Sequence, residues 1–134
     1  MVTQTGKYAL RILGYLVDHT GQWVQGRAIA TDTGIPANYL SKILNQLRKH
    51  GFVESQKGWG GGFLLVEKAT RVTIGEVLEA IEGPRDRDRC LLETRQCDAE
   101  HPCALHDQWE KVRGTFEKML DTLHVGDLRS HTAE

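Results

Sequence analysis

The chain has 134 residues, of which 40% are hydrophobic, and a formal net charge of −1. Its length fits a single domain with an appended element. No apolar run reaches the roughly 18 residues that a membrane span needs, and the first residues lack a signal-peptide pattern. These features predict a cytoplasmic protein without a membrane partner, whose thiols stay reduced.

The charges are unevenly distributed along the chain. Residues 1–66 carry seven basic and three acidic residues, whereas residues 67–134 carry ten basic and fifteen acidic ones. A basic half joined to an acidic half predicts a face that binds a polyanion at one end of the protein only.

The first 50 residues predict three helices. The first is expected over about residues 6–19 with Thr5 as its N-cap, and a short second helix ends at Gly34. The third begins at Pro36, a residue suited to a first helical turn, and carries an apolar stripe. Its opposite face holds short or cationic side chains that can form hydrogen bonds: Asn38, Ser41, Lys42 and Asn45. Two short helices around a tight turn, the second with a polar face, predict a helix-turn-helix.

The segment FVESQKGWGGGFLLVEK (residues 52–68) predicts a strand, a tight loop and a second strand. Four glycines surround Trp59 and permit backbone conformations that other residues avoid. The loop lacks the sequence context of a nucleotide-phosphate loop. A hairpin after a helix-turn-helix is instead typical of a wing, with the cation of Lys57 near DNA phosphates or minor-groove edges.

A fourth helix is expected to follow, because Thr73 and Glu76 have the spacing of a capping box and Gly83 suits its end. Its predicted role is packing. The mixed-charge segment PRDRDR (residues 84–89) is expected to be a solvated linker that leads into the cysteine-containing stretch.

All three cysteines lie between residues 90 and 103, at Cys90, Cys97 and Cys103, and His106 follows. An odd number of cysteines in a reducing compartment argues against disulfides, and the spacing lacks the close pairs of structural zinc sites. An iron–sulfur cluster needs thiolates and accepts histidine on one iron. Pro102 suits a helix start, so Cys103 and His106 are expected on one face of the first turn. A vestigial loop or redox-active thiols without metal remain alternatives.

The last helix, expected over residues 103–125, has apolar residues at heptad steps of four and three. They are Leu105, Trp109, Val112, Phe116, Met119 and Leu123. This seam needs a partner surface and predicts a two-fold dimer, with folding back onto the same domain as the alternative. Residues 126–134 are expected to be a flexible tail.

Five segments in this order resemble the winged-helix regulators of the IscR/NsrR/BadM family, from about residue 3 to 125. They are TGKYALRIL, IPANYLSKILNQLRKHGFVES, KGWGGGF, VTIGEVLEAIEG and the cysteine stretch before a long helix. The expected fold is mainly α with a small β-hairpin wing. The expected division is a winged helix-turn-helix DNA-binding domain (1–83), a sensor loop (84–102), a dimerisation helix (103–125) and the tail.

The resemblance implies a homodimeric transcriptional regulator, such as a repressor, that binds a near-palindromic DNA operator and is not an enzyme. It places the recognition helix in the major groove and the wing in the minor groove. The DNA-contacting residues it implies are Pro36, Asn38, Tyr39, Ser41, Lys42, Lys57, Gly58 and Gly60. Relatives often have serine at the position of Pro36 and Glu-Gln at positions 41 and 42, so the base sequence that is read is expected to differ.

The resemblance also implies that the three cysteines hold an iron–sulfur cluster that senses iron–sulfur status, redox state or nitric oxide. His106 stands where relatives with a 2Fe–2S cluster have their histidine ligand. Relatives with a 4Fe–4S cluster recruit an acid near the start of the first helix, where this chain has Lys7, so 2Fe–2S is favoured. Loss of the cluster is expected to shift the two recognition helices relative to each other. A metal-free thiol switch that still binds DNA is the alternative.

Overall fold

The computed structural model describes residues 2–85, 89–92, 96 and 98–129. Its elements are α1 (Gln4–Asp18), α2 (Gly26–Thr33), α3 (Ala37–Lys49), β1 (Val53–Gln56), β2 (Gly62–Leu65), α4 (Ile74–Glu82) and α5 (His106–Thr122), with 3₁₀ helices at Glu67–Arg71 and Val125–Leu128. This mainly helical architecture with one antiparallel hairpin confirms the predicted fold class. None of the described helices is long and apolar enough to cross a membrane.

The core forms where the apolar stripes of the first three helices meet. On α3 these residues recur at a helical period, so one side of the helix is buried while the other faces solvent. The largest fully buried side chains of the three helices and of the turn after α2 are Ile12, Leu13, Leu16, Ile29, Ile35, Ile43, Leu44 and Leu47. This core sets the angle between α2 and α3 and therefore positions the polar face of α3.

The start of α1 differs from the prediction. Thr3 is the N-cap, and its hydroxyl accepts a hydrogen bond from Gly6 N at 3.0 Å, whereas Thr5 lies inside the helix. The reason is a distant contact: the Glu82 carboxylate accepts hydrogen bonds from both the backbone N–H and the hydroxyl of Thr3, at 2.6 and 2.5 Å. The prediction of Thr5 as the cap is therefore wrong.

The hairpin is joined to the helices by backbone hydrogen bonds. β1 and β2 are antiparallel, and their register runs from the pair of Val53 with Leu65 to the pair of Gln56 with Gly62. Val24, which lies between α1 and α2, exchanges two hydrogen bonds of 2.9 and 2.8 Å with Phe63. Gly62 has a φ of 129° and lies so close to the Val24 backbone that a Cβ atom would collide with it. The wing is thus fixed to the helix-turn-helix body and not only to its own strands.

The expected tail begins with ordered structure. Val125 is fully buried and its N–H donates to Val72 O at 2.9 Å, so the flexible tail expected from residue 126 is wrong for residues 126–128. Residues 130–134 lie outside the described residues. α5 ends beside this segment, with Leu120 and Phe116 packed near Leu78 on α4.

Candidate functional site

The side chains predicted to contact DNA on α3 all lie on its exposed surface. Pro36 caps the helix, and Asn38 and Lys42 face solvent. The hydroxyl of Ser41 donates to Ala37 O at 3.1 Å, so its oxygen remains an acceptor. Tyr39 is about half exposed. This face offers donors and acceptors of the kind that read base edges.

A groove of about 680 Å³ lies between this helix, α2 and the hairpin, and it brings Ser41 and Lys57 to the same concavity. Its wall also includes Arg27 and Arg48, which the sequence reasoning left out of the site. Arg48 lies seven residues after Ser41 and hence on the same face of α3, so helical spacing could have identified it. Its guanidinium donates to Asn45 Oδ1 at 2.8 Å. The groove is therefore more basic than predicted.

The tip of the wing is a tight turn over residues 57–61. Gly58 and Gly60 have φ values of 91° and 70°, and Gly61 N donates to Gly58 O at 3.1 Å. Lys57, Gly58 and Gly60 are all exposed, as a DNA-contacting wing requires.

The cysteine site is partly described. Cys90 is 5% exposed and lies at a cavity of about 260 Å³ that Trp109 also lines. Cys103 is half-buried, and Cys97 lies outside the described residues. Both described cysteines carry thiols and not a disulfide.

The position of Cys103 needs a correction. Leu105 is the N-cap of α5 and the helix begins at His106, so Cys103 lies in the preceding turn and not in the first helical turn. The two residues are still adjacent, because His106 N donates to Cys103 O at 3.1 Å. The segment after Pro102 thus forms a turn before it becomes helical.

His106 is 8% exposed, and its Nε2 lies 3.6 Å from the Glu110 carboxylate one turn later. The nearby His101 is exposed, and its Nδ1 lies 2.8 Å from the Asp98 carboxylate. Asp98, Glu100 and His101 place one possible ligand atom each within 4.8 Å of one another, but all three are exposed. Cys90 and His106 are buried and Cys103 is half-buried, so they offer softer and more shielded donors, but among the described residues their ligand atoms do not form a group within 4.8 Å.

Arg85 corrects the expectation of a solvated linker. Its side chain is 12% exposed and forms ion pairs with Glu82 at 3.7 Å and Glu117 at 3.3 Å. Because Glu82 also binds Thr3, a continuous polar network joins α1, α4 and α5 where the cysteine-containing stretch begins. Residues 86–88 lie outside the described residues.

The heptad seam of α5 divides into two sets. Four members are exposed by 38–51% and lie along one side of the helix: Leu105, Val112, Met119 and Leu123. The other two contact their own chain. Trp109 Nε1 donates to Arg89 O at 3.1 Å, and the Phe116 ring lies 5.3 Å from the guanidinium of Arg85. The alternative of folding back onto the same chain therefore applies to Trp109 and Phe116, while the other four residues are exposed in the single chain.

A sequence model of the Rrf2 family, described as "Iron-dependent Transcriptional regulator", matches residues 2–131. The chain belongs to the Rrf2 family. An HTH-type transcriptional regulator of Aquifex aeolicus (strain VF5) is 31% identical over 128 residues, covering 94% of this chain and 89% of the relative. The HTH-type transcriptional regulator IscR of Escherichia coli (strain K12 / DH10B) is 30% identical, covering 95% and 78%.

Solved structures of Rrf2-type regulators share the fold. T. potens IscR superposes with a TM-score of 0.71 at 26% identity, covering 96% of this chain and 85% of the other. CymR (YrzC), the global cysteine regulator of B. subtilis, gives 0.75 at 24% identity, covering 96% and 95%. The second is a likeness in fold alone. The Rrf2 relatives are regulators and not enzymes, so this chain is a DNA-binding transcriptional regulator.

Proposed function

We propose that this Rrf2 protein is a homodimeric regulator that senses iron–sulfur, redox or nitric oxide status through a cluster held by Cys90, Cys97, Cys103 and His106. One observation carries the proposal. His106 is the only buried polar or charged residue among the described residues, and it directly follows the turn that contains Cys103. Burying an imidazole is costly unless it gains a strong partner. The Glu110 carboxylate is exposed and, at 3.6 Å from Nε2, lies beyond hydrogen-bond distance, so a bound metal would be the stronger partner.

The donor set suits an iron–sulfur cluster. Thiolates are its required ligands, and histidine is accepted on one iron, so we favour 2Fe–2S over 4Fe–4S. When bound, the cluster supplies iron whose oxidation state and ligands respond to oxidants and nitric oxide. Cys103 lies at the amino end of α5, where the helix dipole favours an anionic ligand. Cys90 adds a second sulfur that is shielded from water.

The surroundings of Cys90 offer a route from the sensor loop to the rest of the protein. The carbonyl of the neighbouring Arg89 accepts hydrogen bonds from Trp109 and Arg113 on α5. At the other end of the linker, Arg85 binds α5 and α4. A displacement of residue 90 would therefore act on α5 directly.

The proposed dimer uses the exposed side of α5. The four apolar residues there span the helix from Leu105 to Leu123, and in a single chain their side chains are exposed to water. A two-fold pairing through α5 would present two α3 helices to half-sites about one DNA turn apart. The division into a winged domain, a sensor loop and a dimerisation helix is part of this proposal.

Anaerobic reconstitution with iron and sulfide tests the cluster. We expect the product to absorb visible light and to contain iron and sulfide in a fixed ratio to the protomer concentration. A colourless product with all three thiols still titratable would contradict the proposal. His106→Ala should change the spectrum or shorten the lifetime of the product, while His50→Ala, at the exposed histidine that follows α3, should not. An unchanged His106→Ala spectrum would remove only that residue from the ligand set.

The metal-free thiol switch makes the opposite prediction. Cys103 is half-buried and therefore partly accessible to oxidant. Intermolecular disulfides under mild oxidant, together with no bound iron after reconstitution, would favour this alternative while leaving DNA binding in place.

A further inference from the structure

Trp59 stands at the tip of the wing with its side chain completely exposed, at 103% of the reference area. An indole presents about 150–250 Å² of largely apolar surface, which is the kind of surface that water disfavours most. A side chain that buries nothing contributes no packing to the fold. Its contribution must therefore be sought in a complex.

The backbone of the turn that carries this ring is held in a defined place. The turn is closed by the hydrogen bond from Gly61 to Gly58, and Gly61 lies so close to the carbonyl of Gln56 that a Cβ atom would collide with it. The strands on either side are paired, and Phe63 is bonded to Val24 beside α2. Trp59 is thus presented by a wing whose position relative to α3 is fixed.

The neighbours of Trp59 identify its partner. Lys57, two residues earlier, lines the same groove as Ser41 and Arg48 of the recognition helix. A cation in that position is attracted to DNA phosphates. An apolar ring beside it would meet the deoxyribose walls of the groove between those phosphates, as apolar side chains do in other minor-groove complexes.

We propose that Trp59 is a DNA-contacting residue whose ring packs against the sugar walls of the minor groove. The wing then contributes to the DNA-binding free energy in two separable ways, through the charge of Lys57 and through the apolar surface of Trp59. This inference rests on the proposed DNA-binding mode and adds a residue and a type of contact to it.

The test uses a duplex that the wild-type protein selects from a random-sequence pool. If each of the two wings of a dimer buries about a fifth of its indole, Trp59→Ala should weaken binding about five-fold per wing, or about 25-fold for the dimer. Because the lost contact is apolar, the slope of log affinity against log salt should stay unchanged. Lys57→Ala should instead lower that slope by about 1 for each wing.

Two controls separate contact from structure. Trp59→Phe should retain most of the affinity, and the urea midpoint of Trp59→Ala should match the wild type, because the side chain is exposed. Replacing guanine by inosine opposite the wing changes the minor groove and should alter wild-type affinity more than that of Trp59→Ala.

Each outcome is decisive. Equal affinity of Trp59→Ala and wild type would overturn this inference and leave DNA binding by α3 intact. A reduced salt slope for Trp59→Ala would also overturn it, since the residue would then act through the phosphates. If the wild type retained no duplex at all, the proposed function would fail and this inference with it.

Discussion

Arg85→Ala should destabilise the protein far more than a surface substitution, although Arg85 belongs to a segment that reads as a solvated linker. The side chains of Arg85, Glu82 and Glu117 are only 12%, 11% and 16% exposed. The guanidinium contacts Glu117 through two nitrogens, at 3.4 and 3.3 Å, and Glu82 at 3.7 Å. Its removal leaves two carboxylates in a poorly hydrated place.

Breaking one partner out of a buried ion pair costs about 3–5 kcal/mol. The residual exposure of these groups lets water reach them and favours the lower end, while the lost contact with the Phe116 ring adds about 1 kcal/mol. We therefore expect Arg85→Ala to lower the free energy of unfolding by about 4 kcal/mol. Glu82 keeps the hydrogen bonds from Thr3, so most of the cost should arise at Glu117.

Urea denaturation followed by circular dichroism measures this change, at equal protomer concentrations because the proposed dimerisation would contribute to stability. Arg71→Ala is the matched control: Arg71 pairs with Glu67 at 3.8 Å, but the two side chains are 77% and 86% exposed, so the loss should be below about 1 kcal/mol. The double variant Arg85→Met/Glu117→Leu replaces the pair with apolar groups and should recover most of the stability. If Arg85→Ala and Arg71→Ala lost equal stability, the reasoning about burial would be refuted.

Two further results are expected. Val112→Glu places a charge on the exposed apolar side of α5 and should convert the proposed dimer into a monomer, as measured by sedimentation equilibrium. Lys111→Glu, on the neighbouring surface, should leave the dimer intact. A monomeric wild-type protein would refute the dimer. Burial and the hydrogen bond to Asp32 raise the pKa of Tyr15 to about 12, so the stability this bond contributes is present below pH 10 and lost as pH rises towards 12. Tyr15→Phe should therefore differ in stability from wild type at pH 9 and approach it at pH 12, and a constant difference would contradict this.

Patterns that act within one turn or one strand were predicted correctly. The apolar stripe of α3 and the glycine-rich loop between β-forming residues depend on local periodicity and turn chemistry, so the helix-turn-helix and the hairpin follow from them. The side chain of Thr73 accepts from Glu76 N at 3.1 Å, as its spacing predicted.

The predictions were wrong where contacts between residues far apart in the sequence determine the local structure. Thr3 and Thr5 are equally good caps by sequence, and Glu82, 79 residues away from Thr3, selects between them. Val125 belongs to a polar segment, yet its N–H donates a hydrogen bond to the carbonyl of Val72, which places its side chain in the core. Charged composition likewise suggested solvent around Arg85, because no local pattern reveals that two carboxylates converge on it.

The most direct test of the account is a paired titration of the selected duplex, under anaerobic conditions and at one salt concentration, with the reconstituted protein and with the same preparation after removal of iron. If the site of Cys90, Cys103 and His106 controls α5 and hence the two recognition helices, the affinities should differ by about 5- to 150-fold, the usual range of coupling between two sites. Equal affinities of an iron-loaded and an iron-free protein would contradict it.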